Sequence, residues 1–178
     1  MIRSKKKHIG LFGGSFDPVH KGHLKISNIS IKKLKLNKLY WVITKKNPFK
    51  HKTFFSLNER IKRCKNIVKK NRKIKIQSLD KIIKSSRTIN IIKYLMKKNR
   101  NTIFYLIIGS DNLIDFHKWV SWKKILKLSK LVVFSRKGYN RKAETSAIIK
   151  HLNNNNIIYI KNFNEPYSSS QIRKKYLN

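Results

Sequence analysis

The run Gly10-Leu11-Phe12-Gly13-Gly14-Ser15-Phe16-Asp17-Pro18-Val19-His20-Lys21-Gly22-His23 leaves this chain little choice of fold. Ile9, Leu11 and Phe12 have strand character. Gly13 and Gly14 read as a tight turn, Ser15 and Phe16 follow in a short loop, and a helix opens near Gly22. A strand, a glycine turn and a helix N-terminus together make an anion site. The backbone comes close to a phosphate there, and the first helical N–H groups point at it. His20 and His23 are three residues apart, so on a first helical turn they face the same way. Two imidazoles in that place can donate hydrogen bonds to charge that builds up on a leaving group. The spacing is neither the Walker A pattern nor G-x-G-x-x-G. Nor does it read as a metal site: Asp17 is the nearest further ligand type, Cys64 stands alone, and zinc spacings are missing.

The rest of the chain alternates strand and helix signals. Strands are predicted at residues 9–12, 38–44, 74–77, 103–108, 131–135 and 157–160. Helices are predicted from Gly22 to about Leu34, after the capping box Ser56-Leu57-Asn58-Glu59 to about Lys70, and over 88–98 with Thr88 as cap. Further helices are predicted over 119–128, over 143–152, and from the serines 168–170 onward. This order implies an α/β fold: a doubly wound, mostly parallel, Rossmann-like sheet with helices on both faces. No repeat or linker interrupts it, and residues 153–156 read as a polar turn, so 1–178 is expected to form one domain. In such a sheet ligands sit beyond the carboxyl ends of the strands. That gathers the first-strand turn, the basic loop 45–52, Gly109-Ser110-Asp111 and Arg136 on one edge.

Lys plus Arg number 44 and Asp plus Glu 7, a net charge of +37. Taken alone this suggests nucleic acid or an anionic surface. The lysines are spread along the whole chain, however, and Ile and Asn are abundant too, as an A+T-rich genome favours. No aromatics are interleaved with a basic stripe beyond those a sheet would bury, so no nucleic-acid partner is expected. One cysteine excludes an internal disulfide and fits a reducing compartment. The basic N-terminus precedes an apolar stretch that is short and broken by glycine, not a signal peptide, and no run approaches a membrane span. A soluble cytoplasmic protein, without a membrane partner, is expected.

A second anchor lies at Tyr167-Ser168-Ser169-Ser170-Gln171-Ile172-Arg173. Serines at a helix start cap it, and Ser169 and Ser170 can also offer hydroxyls to phosphate. Arg173, one turn in, can fork onto phosphate oxygens. Asp111 reads either as part of a strand-end turn with Gly109 or as a carboxylate for sugar hydroxyls. Arg136 reads either as a solvated side chain or as a guanidinium on an adenine face. Trp119 and Trp122, three apart, would by default be core.

The sets G-G-S-F-D-P-V-H-K-G-H, N-P-F-K, I-G-S-D-N-L, H-K-W-V-S-W and S-S-S-Q-I-R together resemble the bacterial nicotinate-nucleotide adenylyltransferases, nearly end to end. These belong to the nucleotidylyltransferase superfamily, whose H-x-G-H histidines hold the triphosphate of ATP. The resemblance implies transfer of AMP from ATP to nicotinate mononucleotide, with Mg²⁺ accompanying the ATP. It implies that Lys50, otherwise a solvated lysine, lies near the phosphates. It also implies that Trp119 stacks on the pyridine ring, and that Ser86-Arg87-Thr88 receives the nicotinate carboxylate on backbone N–H groups. The family commonly has Ser-Tyr-Thr there, so Arg87 is a departure, and Tyr167 replaces the usual Ile of the serine element. Many members continue past the last helix, whereas this sequence stops at Asn178, which leaves the packing of that helix open. The pantetheine-phosphate adenylyltransferases share the fold and the glycine-rich start. They typically carry Thr for the first histidine and Lys for the final arginine, and His20 and Arg173 argue against them. A homo-oligomer stays open.

Overall fold

Apolar residues alternate along the strands, and the alternation sorts them onto two faces. Ile9, Leu11, Tyr40, Val42, Leu106, Ile108, Leu131 and Val133 join one buried cluster. Phe12, Leu39, Trp41, Ile43, Tyr105, Ile107, Val132 and Phe134 join another. Successive side chains of a strand point to opposite faces, so two such clusters require a sheet covered on both sides. The computed structural model, which describes residues 5–45, 53–146, 148–149, 157–161, 163 and 168–176, has that sheet. Lys50 with the rest of its Asn-Pro-Phe-Lys loop, the 153–156 turn and Tyr167 lie outside the described residues.

The strands are β1 (Lys7–Gly14), β2 (Lys38–Ile43), β3 (Ile74–Gln77), β4 (Thr102–Gly109), β5 (Lys130–Phe134) and β6 (Ile157–Ile160). All neighbours run parallel, in the order β3-β2-β1-β4-β5-β6. Helices α1 (Lys21–Lys33) and α2 (Leu57–Val68) supply the second cluster. Helices α3 (Asp80–Ile83), α4 (Thr88–Lys98), α5 (Ser110–Ile114), α6 (Trp122–Leu128) and α7 (Asn140–Glu144) supply the first. The last is α8 (Ser169–Lys174). This is the doubly wound fold expected of the sequence. The chain reverses its winding between β1 and β4, and the crevice at their carboxyl ends is where such folds take ligands.

Several local expectations are corrected. Gly13 and Gly14 are not a turn: they stay extended and pair with Val42 and Ile43. The turn comes two residues later, where Phe16 takes a φ of 47°. Strand β4 likewise runs through Gly109, and α5 follows it without an intervening turn. Trp119 and Trp122 do not share a helix. A 3₁₀ turn covers Phe116–Lys118, Trp119 is extended, and Ser121 at φ 57° delays α6 until Trp122. Thr88 is the first residue of α4 and not its cap; Arg87 holds the cap position without a side-chain bond. The Ser56 box is half made. Its hydroxyl accepts from Glu59 N–H, but the Glu59 carboxylate turns to Arg63 at 2.8 Å. Of the helix predicted over 143–152, Ala143 and Glu144 close α7, which starts at Asn140, Thr145 and Ser146 are not helical, and 148–149 are helical again.

Cys64 is fully buried on α2, and burial pushes its thiol up to about 12, with the nearby Arg60 charge opposing. The thiolate is the reactive form. In the native protein Cys64 should therefore resist a disulfide reagent at mildly alkaline pH and react promptly after unfolding in guanidinium. Fast labelling of the folded chain would contradict this environment.

Candidate active site

The histidines are fixed by the backbone they cap. His20 is the N-cap of α1, and its Nδ1 accepts from the Gly22 N–H at 3.1 Å. His23 Nδ1 accepts from the His20 N–H at 3.3 Å, which closes a capping box built from imidazoles. A ring nitrogen that accepts an N–H carries no proton, so in each neutral ring the proton sits on Nε2. The two rings lie 4.0 Å apart, and both line the same cavity. His23 rests on an aromatic floor, with Phe16 at 4.9 Å, Phe12 at 5.9 Å and Trp41 at 6.3 Å. Trp41 is fully buried and donates its indole N–H to Ser27 Oγ at 2.7 Å; Ser27 Oγ donates to the His23 carbonyl at 2.8 Å. Side-chain bonds thus anchor the helix start to the second strand.

The cavity has a volume of about 570 Å³. It is lined by Gly13, Gly14, Ser15, Phe16, His20, Gly22 and His23 from the first motif, and by Ser169 and Ser170 from α8. Gly109, Asp111 and Arg136 line it from the ends of β4 and β5, and Ser86, Arg87, Thr88 and Trp119 line its other side. Residues far apart in sequence therefore meet in one place. Arg173 is the described candidate that does not line it. Its Nη1 donates to the Asp17 carbonyl at 2.5 Å and its Nη2 to Ser170 Oγ at 3.0 Å.

Asp111 and Arg136, expected on one edge of the sheet, are in direct contact there. They pair at 2.6 Å across the ends of β4 and β5. Asn140 steadies them: its Oδ1 accepts from the Arg136 N–H at 2.8 Å and from Ser110 Oγ at 3.2 Å. A side chain at Gly109 would push the Asp111 carboxylate aside, so glycine there leaves the carboxylate free to reach Arg136. Trp119 is half-buried, with its ring 5.1 Å from that of Phe116. The first turn of α4 opens on the same cavity, and because Arg87 makes no side-chain cap, its leading N–H groups are not capped in that way.

Arg60 and Asp17 do the most to hold this geometry, and the sequence reading gave neither a role here. Arg60 is 1% exposed. It donates to the carbonyls of Ser15 at 2.7 Å, Thr44 at 2.9 Å, Lys45 at 3.2 Å and Phe55 at 3.2 Å. Burial lowers its pKa from the ordinary arginine value, and the Asp17 charge opposes that; an arginine stays protonated regardless. The Asp17 carboxylate accepts from the N–H groups of Phe54 at 2.7 Å and Phe55 at 2.9 Å. One signal was available: Arg60, Cys64 and Val68 are spaced by four, so the arginine lies in line with the apolar stripe of α2.

The last helix packs onto the same loop. Ser168 and Gln171 form its capping box, and Ser169 Oγ donates to the Pro18 carbonyl at 2.9 Å. Tyr176 lies 5.4 Å from Phe55 and 6.0 Å from Phe54, and its hydroxyl meets Arg63 Nη1 at 3.3 Å.

A family model described as cytidylyltransferase-like matches residues 11–175. A protein of Pelagibacter ubique named probable nicotinate-nucleotide adenylyltransferase is 44% identical over 173 residues, covering 97% of this chain and 96% of its own. One of the same name from Agrobacterium fabrum is 37% identical over 131 residues, 73% of this chain and 70% of its own. Among solved structures, the Plasmodium falciparum nicotinic acid mononucleotide adenylyltransferase complexed with NaAD aligns with a TM-score of 0.72. The alignment covers 94% of this chain and 83% of that one at 23% identity, a likeness of fold. With the imidazole pair, the serine-capped helix and the glycine-ended strands in one crevice, this chain belongs to the cytidylyltransferase-like family and, within it, to the nicotinate-nucleotide adenylyltransferases.

Proposed function

We propose that this enzyme transfers AMP from ATP to nicotinate mononucleotide, giving nicotinate adenine dinucleotide and pyrophosphate in NAD biosynthesis. The observation that carries the reading is one cavity shared by two kinds of wall. His20, His23 and the Ser169–Ser170 helix start suit a triphosphate. Trp119 and the Ser86–Thr88 turn suit a flat ring bearing a carboxylate.

The chemistry asks for placement more than for a base. The nucleophile is a phosphate oxygen of the mononucleotide, and a second phosphate pKa of about 6 leaves it mostly dianionic at neutral pH. That oxygen attacks the α-phosphorus as the bond to the β-phosphate oxygen breaks, and the electron pair leaves with pyrophosphate. The charge that grows on the departing oxygens is met by the Nε2–H donors of His20 and His23, which their capping bonds hold in place beforehand. Gly13 and Gly14 leave the cavity floor without side chains, Ser15 and Phe16 flank it, and Gly22 sits in the first turn of α1. Ser169 and Ser170 receive the far end of the triphosphate. Asp111 and Arg136 attend the adenosine, the carboxylate toward the ribose and the guanidinium toward the adenine. Lys50 is assigned to the phosphates from its motif.

Mg²⁺ belongs to this reading as an ion that arrives on ATP, where it neutralises phosphate charge. Among the described residues no three His, Cys, Asp or Glu side chains gather to hold a cation. The carboxylates of Asp17 and Asp111 are already engaged. Mg²⁺ favours phosphate oxygens and water, which suits a donor set of this kind. The same reading makes the chain one domain in the cytoplasm with no nucleic-acid partner. No helix of the described residues is long and apolar enough to cross a membrane.

Steady-state assays decide the function. With ATP, nicotinate mononucleotide should yield the dinucleotide and pyrophosphate, and phosphopantetheine should yield nothing; turnover of phosphopantetheine instead would sink the assignment. Arg173→Lys tests the serine-rich end. It keeps the charge but loses the two-pronged hold on Asp17 and Ser170. The KM for ATP should rise severalfold while that for the mononucleotide stays nearly flat. An unchanged ATP KM would remove Arg173 from the phosphate site.

A further inference from the structure

We propose that Arg60 is a positioning residue of the phosphate site, one that turns the Ser15–Phe16 peptide so that the Phe16 N–H faces the cavity. The inference rests on the adenylyl-transfer reading. A buried guanidinium usually sits against a carboxylate. Here it spends four donations on backbone carbonyls from three separate segments: the loop after β1, the end of β2, and the turn before α2. Those segments converge on the carboxyl edge of the sheet, beside the cavity.

Peptide geometry supplies the consequence. In a trans peptide the C=O and the following N–H point in opposite directions. The Ser15 carbonyl points at Arg60, so the Phe16 N–H points away from it. Gly14, Ser15 and Phe16 all line the cavity, and the Phe16 nitrogen lies 3.9 Å from where a side chain on Gly14 would begin. Among the described residues that N–H is bonded to no acceptor. Phe16 also holds a φ of 47°, which a residue with a side chain adopts only when its surroundings enforce it. Arg60 enforces it from one side. Asp17 does so from the other, since its carboxylate takes the Phe55 N–H while Arg60 takes the Phe55 carbonyl.

Arg60→Lys leaves a positive charge but replaces three nitrogens with one. If Arg60 aims the donor, kcat should fall by up to about a hundredfold, the scale of a small misplacement at a reacting centre. Affinity for a non-reactive α,β-methylene analogue of ATP should fall by roughly tenfold while adenosine binds within about twofold of the wild type, because adenosine has no phosphate to misplace. A purely structural role predicts a lower melting temperature with both ligands unaffected, or both weakened together; either result overturns the proposal. If Arg60→Lys does not fold, the wild-type protein decides. Titration of the ¹⁵N-labelled chain with pyrophosphate should move the Phe16 amide, and an amide that does not move overturns the proposal. A wild-type enzyme inactive on nicotinate mononucleotide would instead sink the underlying reading. An active wild type with an unaffected Arg60→Lys sinks this inference alone.

Discussion

His23→Ala should lower kcat by roughly 10²–10³-fold, the usual cost of one donor aimed at developing charge. The mononucleotide KM should scarcely move, because His23 lies among Phe16, Phe12 and Trp41, while Trp119 and Ser86–Thr88 line the other side. The fold should survive. The substitution removes one capping bond, to the His20 N–H, and a lost helix cap costs about 0.5–2 kcal/mol. Stopped-flow or steady-state turnover, read beside a thermal melt, separates the two effects. Turnover near wild type would show that His23 serves only as a cap.

Trp119→Ala should raise the mononucleotide KM between roughly tenfold and a few hundredfold and spare ATP. Stacking on a flat ring contributes about 0.5–1.5 kcal/mol beyond burial, and lost apolar burial adds up to about 3 kcal/mol. Trp119 suits this role through its backbone. It is extended between the 3₁₀ turn and α6, so its ring is held against Phe116 while still lining the cavity. Trp122 is the control. It starts α6 and packs against the core without lining the cavity. Trp122→Ala should therefore lower the melting temperature and leave both KM values nearly unchanged. If the two variants exchange behaviours, the wrong tryptophan has been assigned to the ring. If neither moves the mononucleotide KM, the pantetheine-phosphate reading has to be reopened.

Local, periodic features were the legible ones. Long apolar runs such as 38–44 and 103–108 announced buried parallel strands, and their alternation with helical segments gave the doubly wound sheet. The imidazole pair was legible because its spacing is short. Pairings made across the sheet were not. The strand-end rule puts Asp111 and Arg136 on one edge, but their direct ion pair depends on the register of β4 and β5 in the folded chain. Arg173 illustrates a different limit. Its position one turn into a serine-capped helix suggests phosphate, whereas its hold on the Asp17 carbonyl joins segments far apart in sequence and shows only in the folded chain. Gly13 and Gly14 misled because glycine signals turns by its freedom, whereas here they are extended strand residues whose missing side chains leave room above the sheet. Arg60 was overlooked because one arginine among so many basic residues draws no notice until its burial is known.

The central place of β1 has a consequence for how the enzyme is made. The strand that leads into the histidine motif leaves the ribosome well before one of its two neighbours, which begins at Thr102, the partner of Lys7. Until β4 has been synthesised, β1 keeps an open edge that could pair with another chain, and closing so long a loop makes the pairing slow. Even then Ser169 and Ser170 are missing from the cavity wall, because α8 follows β4, β5 and β6 in the chain. A nascent chain therefore displays its histidine motif long before the cavity wall is complete, and a complete cavity wall reports that translation has passed α8.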